Sequence, residues 1–435
     1  MLCASNNLFG AKEMEYFSRY IEKQIKEALE ISGGVLVAGP KFCGKTTTCK
    51  RFASSSYSLD TKEKIQLVQS SPSSILQGRY PRLIDEWQSV PDLWNCARTQ
   101  IDSSEEKFGL FIFTGSSTPA DRDEIFHSGA GRFVTLRMNP MSLYESGESS
   151  GKVSLSGMFD KPRKNIFCTN DDYFLQDTAF YLCRGGWPLS VLGGRDKALR
   201  ITAAYYSTLF EFENSRNAKF RNKKKDIFPM ILKSYARNIS TEARRKVLLD
   251  DVNTHDDRNF NEDTFEEYVE ALRDLFIIRD MEAWNPNFRS KTIVITSPTR
   301  HFVDTSIAAG ALNISPSDLM NDPRTFGMFF EDFAVNQLRI YTESLGGEIR
   351  HYRDSKGLEC DAVVHLQDGR YALVEVKLGG ENLIRDGIST LSSLRNKIKA
   401  DKLPEPAFAM IITACGNAYT TDTGIHIVPI NLLKY

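Results

Sequence analysis

Apolar residues at Met14, Phe17, Ile21, Ile25 and Leu29 recur at helical spacing, which predicts an amphipathic helix over residues 13–30. Ser32-Gly33-Gly34 stops it. The next apolar positions are contiguous, at Val35-Leu36-Val37-Ala38, Arg82-Leu83-Ile84-Asp85 and Leu110-Phe111-Ile112-Phe113-Thr114. Short unbroken runs of this kind predict strands buried on both faces. A helical pattern from Val90 to Gln100 lies between two of them, so residues 31–140 are expected to form a parallel sheet flanked by helices.

Beyond that sheet the period changes. Lys161 to Asp172 is polar and loop-like, Tyr173 to Cys183 is helical, and Gly185-Gly186-Trp187-Pro188 ends it. Ala198 to Phe212 is helical again. Three more helices are expected at Phe228–Asn238, Thr241–Asp251 and Thr264–Leu275. Strands follow at Phe276–Arg279 and Lys291–Ile295, turning at Asn285-Pro286-Asn287. Three helices and a hairpin predict a winged helix-turn-helix. The remainder alternates helix (Thr325–Leu345), strands, helix (Asn382–Ile398) and strands (Phe408–Thr413, Gly424–Ile430), a further α/β unit.

With 435 residues the chain has room for several domains. A net charge of −1 argues neither for nor against a nucleic-acid partner, so any basic surface must be local. The eight cysteines form no C-x-x-C pair and the six histidines no H-x-x-x-H, against a zinc site or a disulfide framework. The first residues carry acids and no apolar core of signal length, and no stretch reaches the ~20 apolar residues of a membrane span. A cytoplasmic protein without a membrane segment is expected.

Candidate chemistry begins at Gly39-Pro40-Lys41-Phe42-Cys43-Gly44-Lys45-Thr46-Thr47, which fits G-x-x-x-x-G-K-[ST] between a strand and a helix. Glycines let such a loop aim its N–H groups at phosphates, and the helix N-terminus adds its dipole. Lys45 would reach the β- and γ-phosphates of ATP, and the Thr46 hydroxyl would hold Mg2+. Asp85 and Glu86 close an apolar strand, Asp85 toward the metal and Glu86 as general base. Thr114, ending the next strand, is placed to sense the γ-phosphate. Arg132, ahead of Arg122, is a candidate transition-state arginine, in cis or from a neighbouring subunit, against the plain alternative of a surface residue. Cys43 is expected to face the nucleotide and to be shielded by it from alkylation.

Residues GPKFCGKTT, PRLIDEWQ, IFTGSS, GAGRFVTLRMNPMSLYE, GGWP, EYVEALRDLFIIRDMEAW, GLECDAVV and YALVEVKLG together resemble the AAA-type (AAA-14) bacterial and archaeal P-loop ATPases. In those a winged helix and a C-terminal restriction-endonuclease-like domain of unknown function follow the ATPase domain. The resemblance implies an α/β P-loop NTPase sheet, a winged helix-turn-helix and a PD-(D/E)xK-like α/β domain. The expected division is a helix at 1–30, the ATPase domain at 31–150, a helical lid at 151–215, the winged helix at 216–310 and the nuclease-like domain at 311–435.

Within that last unit Asp361, Glu375 and Lys377 follow the D…(D/E)-x-K spacing of metal-dependent nucleases, and Glu331 adds an acid. Glu375 and Lys377 are two apart and share a strand face. Two readings stay open: an enzyme that couples ATP hydrolysis to DNA, or a nucleotide-controlled switch for a protein partner with an inactive nuclease-like domain. The P-loop residues with Asp361, Glu375 and Lys377 motivate the first, and the near-neutral charge and the acidic helix Thr264–Leu275 favour the second, while the basic run Arg221 to Lys225 reads more readily as a solvated linker than as a phosphate contact.

Overall fold

The computed structural model describes residues 16–116, 131–210, 223–255, 259–285 and 297–435. Its first unit is a five-stranded parallel sheet. The strands β1 (Gly34–Ala38), β2 (Ser55–Ser58), β3 (Arg82–Asp85), β4 (Phe111–Gly115) and β5 (Phe133–Arg137) lie in the order β2-β3-β4-β1-β5. The three apolar runs became the three inner strands. The edges β2 and β5 are partly polar and were not legible as strands, because an edge strand has less to bury. Helices α1 (Ile21–Ile31), α2 (Lys45–Lys50), α3 (Lys62–Ser70) and α4 (Asp92–Ser103) cover the sheet. The first helix starts at Ile21 rather than near residue 13. The Arg19 N–H donates to the Glu22 carboxylate at 2.6 Å, which turns the chain away from the axis there.

A second unit is built mostly of helices. After the short β6 (Val153–Ser154), α5 (Leu155–Asp160) and β7 (Phe167–Cys168) come α6 (Leu175–Arg184), α7 (Pro188–Leu192) and α8 (Gly194–Thr208). The three expected helices appear as α9 (Ile227–Arg237), α10 (Arg245–Thr254) and α11 (Glu262–Asp274), followed by α12 (Thr305–Leu312). No regular strand forms at Phe276–Arg279. Isolated antiparallel bridges join Ile278 to Phe302 and Met281 to Thr299 instead, and the expected strand Lys291–Ile295 lies outside the described residues.

The last unit holds α13 (Pro316–Asn321), α14 (Pro323–Ser344), β8 (Gly347–Arg353), β9 (Glu359–Leu366), β10 (Tyr371–Lys377), α15 (Glu381–Ala400), β11 (Phe408–Thr413), β12 (Ala418–Thr420), β13 (Ile425–Pro429) and β14 (Leu433–Lys434). Its mixed sheet runs β7-β12-β13-β11-β10-β9-β8, with β8, β9 and β10 antiparallel and β10, β11 and β13 parallel. Strand β7 comes from the second unit, and β6 pairs with β14. One apolar core links all three units, from Ile25 and Val35 through Leu182, Ile231 and Phe330 to Leu433. The far face of each large sheet has its own core, around Trp94 and Phe113 in the first and Leu373 and Leu391 in the last.

Candidate functional site

The loop Gly39 to Gly44 leaves β1 at its carboxyl end and enters α2 at Lys45. A Cβ at Gly39 would stand 2.2 Å from the Met138 carbonyl oxygen, so the loop root passes β5 as only glycine can. Gly44 has φ +101, a left-handed turn that sends the chain into the helix. Lys45 is buried, and its ammonium donates to the carbonyls of Gly39 at 2.9 Å and Pro40 at 2.7 Å. Phe42 stands exposed on the crest and meets the Tyr205 ring edge-on at 5.9 Å. Cys43 is fully buried, with Sγ on the Met138 carbonyl at 3.7 Å. The thiol expected to face the nucleotide is instead buried beneath the loop.

In-register pairing brings the strand ends together. Asp85 lies beside Thr114 across β3 and β4 and beside Ser58 across β2 and β3. The Asp85 carboxylate accepts from Thr46 Oγ1 at 2.8 Å, Thr114 Oγ1 at 2.5 Å and Ser58 Oγ at 3.3 Å. The residues expected to hold Mg2+, Thr46 and Asp85, are thus already in contact, and Thr114 joins them. Glu86 follows in a left-handed conformation with φ 57. Its carboxylate accepts from Gln88 Nε2 at 2.6 Å and from Ser116 Oγ at 3.2 Å.

Two arginines had been expected at this site. Arg132 precedes β5 at the opposite, amino end of the sheet, where its carbonyl takes the Gly34 N–H and its guanidinium pairs with Asp102 at 2.9 Å. Within one chain it does not join the loop. Arg122 lies outside the described residues. The arginine that does touch the loop is Arg19, buried, and it was not foreseen. It donates to the Cys43 carbonyl at 2.8 Å, the Asn139 carbonyl at 2.7 Å and Glu145 Oε1 at 3.0 Å. Glu145 also accepts from the Tyr20 N–H and from the Ser142 N–H and hydroxyl, so the stretch after β5 is fastened to the loop. No local sequence signal marked Arg19, because every one of these partners is distant along the chain.

Beside the loop lies a mostly apolar cavity of about 130 Å³. Tyr16, Phe17, Met141, Pro188 and Leu192 line it together with Gly44 and Thr47 at the entry to α2.

The C-terminal carboxylates also assemble. Asp361 on β9 accepts the Val376 N–H at 2.7 Å, and Lys377 Nζ stands 2.7 Å from Glu375 and 3.6 Å from Asp361. Glu375 is buried, and its Oε1 has no hydrogen-bond partner. Burial, with Asp361 beside it, pushes the Glu375 pKa up to about 8. The same two causes raise Glu331 on α14 well above the carboxylate range. Burial works against the Lys377 charge, but Asp361 and Glu375 outweigh it and hold the pKa above the usual lysine value. Among the described residues no group of three or more His, Cys, Asp or Glu is placed to hold a metal ion. Here an ammonium group is the cation between the acids.

A parallel sheet in this order, with a glycine loop leading from its inner strand β1 into a helix, defines a P-loop NTPase-type unit. Residues 32–147 match the family described as AAA domain. Residues 175–318 match a domain of unknown function, DUF8612, and residues 326–433 another, DUF4143. Among solved structures, a Walker-type ATPase of Pyrococcus abyssi is similar at 14% identity and a TM-score of 0.42, over 68% of this chain and 96% of that one. No curated protein matches the chain. The AAA-domain match supports ATP binding and ATPase activity. No helix of the described residues is long and apolar enough to cross a membrane.

Proposed function

We propose that this chain is a Mg2+-dependent ATPase whose nucleotide state is read by the units packed against its P-loop domain. The observation that carries the reading is the joining of Thr46, Asp85 and Thr114 at the mouth of the loop. A hydroxyl and a carboxylate side by side are hard oxygen donors that fit Mg2+, which when bound neutralises phosphate charge. Lys45 turns from the loop carbonyls to the phosphates. The amides of Gly39 to Thr47 line the triphosphate. Glu86 takes the proton of the attacking water, and Thr114 senses the γ-phosphate through Asp85. The apolar cavity beside Gly44 suits the flat face of a nucleobase. Should Arg132 act in catalysis, it acts from a neighbouring subunit.

The test is calorimetric titration with ATP and Mg2+ alongside steady-state phosphate release. Lys45→Ala is expected to abolish binding, and Glu86→Gln to bind ATP while losing turnover by at least about a hundredfold. Absence of binding heat for the wild type sinks the reading.

For the remainder of the chain we favour the switch over the nuclease. The Lys377 ammonium occupies the space between Glu375 and Asp361, and among the described residues no group of three or more His, Cys, Asp or Glu is placed to hold a metal ion. Helix α11, the recognition helix if α9 to α11 form a winged helix, presents Asp263, Glu267 and Glu270, which repel a phosphate backbone. Plasmid cleavage with Mn2+ that is lost in Lys377→Ala, or turnover strongly stimulated by DNA, would reinstate the nucleic-acid reading.

A further inference from the structure

Nothing in the proposed chemistry uses the last residue of the Leu83-Ile84-Asp85-Glu86-Trp87-Gln88 run. After β3 the chain takes the left-handed step at Glu86 and then a single tight turn over Trp87–Ser89. That turn folds the Gln88 side chain back across the end of β4. Its Nε2 donates to Glu86 Oε2 at 2.6 Å, shorter than either contact of the Ser116 hydroxyl with that carboxylate, at 3.2 and 3.4 Å. Its Oε1 is buried and accepts nothing. An amide with one unmatched buried end holds its orientation because of what the other end binds, and here that is a carboxylate, a stronger acceptor than a neutral oxygen. Room for the amide comes from Gly115: a Cβ there would lie 2.8 Å from Gln88 Oε1 and 3.2 Å from Trp87 Nε1. Ser116, the next residue, donates to the same Glu86 oxygen from the other side. Trp87 beneath is fully packed against Trp94 and Phe113, so the turn has a rigid floor.

We propose that Gln88 is the positioning residue of the hydrolytic base: its amide, assisted by the Ser116 hydroxyl, aims the Glu86 carboxylate. The proposal rests on the reading of Glu86 given above. It differs from a packing role in what it predicts. A positioning group acts on turnover and leaves nucleotide affinity alone, since Gln88 has no bond to the phosphate loop or to Asp85.

The experiment measures kcat, KM and ATP affinity for the wild type and five variants, each checked for an unchanged thermal unfolding midpoint. Gln88→Leu keeps the shape and removes the donor. It is expected to lower kcat about tenfold or more with KM and affinity unchanged. Gly115→Ala displaces the same amide without altering Gln88 and is expected to do likewise. Ser116→Ala lowers kcat by less, and Ser116→Thr, which restores the hydroxyl, recovers part of that loss. Glu86→Gln separates the two ideas. If it turns over normally, the base assignment and the positioning role fall together. If it is inactive while Gln88→Leu and Gly115→Ala keep wild-type kcat, the positioning role alone is overturned. A rise in KM with unchanged kcat in either variant also overturns it.

Discussion

Asp85 receives hydroxyls from three separate elements, Thr46 of α2, Thr114 of β4 and Ser58 of β2. The motif spacing made Asp85 and Thr46 legible, since phosphate chemistry dictates both. Ser58 and Ser116 carried no such signal, because serines close many strands and their partners here are about thirty residues away. Cys43 was legible as a member of the loop, but not its direction, which the Met138 carbonyl decides. In the C-terminal cluster Glu375 makes a pH prediction. Glu375 has a pKa of about 8 in the folded protein against 4.5 for the ordinary side chain. Below 4.5 both folded and unfolded chains carry this proton. Between the two values only the folded chain does, so stability falls as pH rises through that window and the contribution is gone above 8. Denaturant midpoints are expected to drop between pH 5 and pH 8.5 in the wild type. Glu375→Gln should flatten part of that slope, leaving the portion due to Glu331. An equal slope in both proteins would show that Glu375 is already ionised.

Among elements, close approach matters more than propensity. The corner between α6 and α7 brings Gly186 against the segment after β5. The Met141 N–H donates to the Gly186 carbonyl at 2.7 Å, and a Cβ at Gly186 would lie 2.2 Å from the Met141 oxygen. The GGWP stop was readable as a break in helical pattern, but the loop after β5 that packs against it was not. Gly186→Ala is expected to destabilise the protein by about 1–3 kcal/mol in denaturant titration, by forcing two backbones apart. Gly327, in the first turns of α14, meets nothing within 4 Å. Gly327→Ala should instead stabilise by about 0.5–1 kcal/mol, through backbone entropy alone. Opposite signs for two glycines in one protein would separate contact from propensity. The edge strands teach the same lesson: β2 and β5 exist because β3 and β1 offer them hydrogen bonds, and their own polar sequences gave little notice.

At the scale of the whole molecule, Arg19 and Glu343 are junctions. Arg19 ties the phosphate loop to Asn139 and Glu145. Glu343, at the end of α14, takes the Asn139 amide at 2.8 Å and pairs with Arg279, and its carbonyl takes Gln24 at 2.7 Å. Burial alone would raise this carboxyl, but Arg279 outweighs it and keeps Glu343 ionised, below its ordinary pKa. A continuous chain of hydrogen bonds thus runs from the phosphate loop through Arg19 and Asn139 to the end of the helix that carries Glu331. Arg19→Ala removes charge-assisted bonds to a buried carbonyl and a buried carboxylate, worth roughly 1.5–3 kcal/mol each. ATP affinity measured by calorimetry is expected to weaken about tenfold or more. Protease should then cut between the units even with nucleotide present, whereas the wild type becomes protected. Unchanged affinity and protection in Arg19→Ala would remove Arg19 from the communication.

Residues 149–170 follow the P-loop domain in the chain yet furnish the far edge strand of the C-terminal sheet, clasp Leu433 through Ser149 and pair Asn170 with Asn431. A gene fragment beginning at residue 326 would thus encode a sheet missing one border, and a fragment ending at 147 would leave that border behind. Any recombination event that transplants the C-terminal unit must carry this short upstream ribbon along with it. A chimera that joins a foreign segment ahead of residue 326 without residues 149–170 should therefore misassemble along that border.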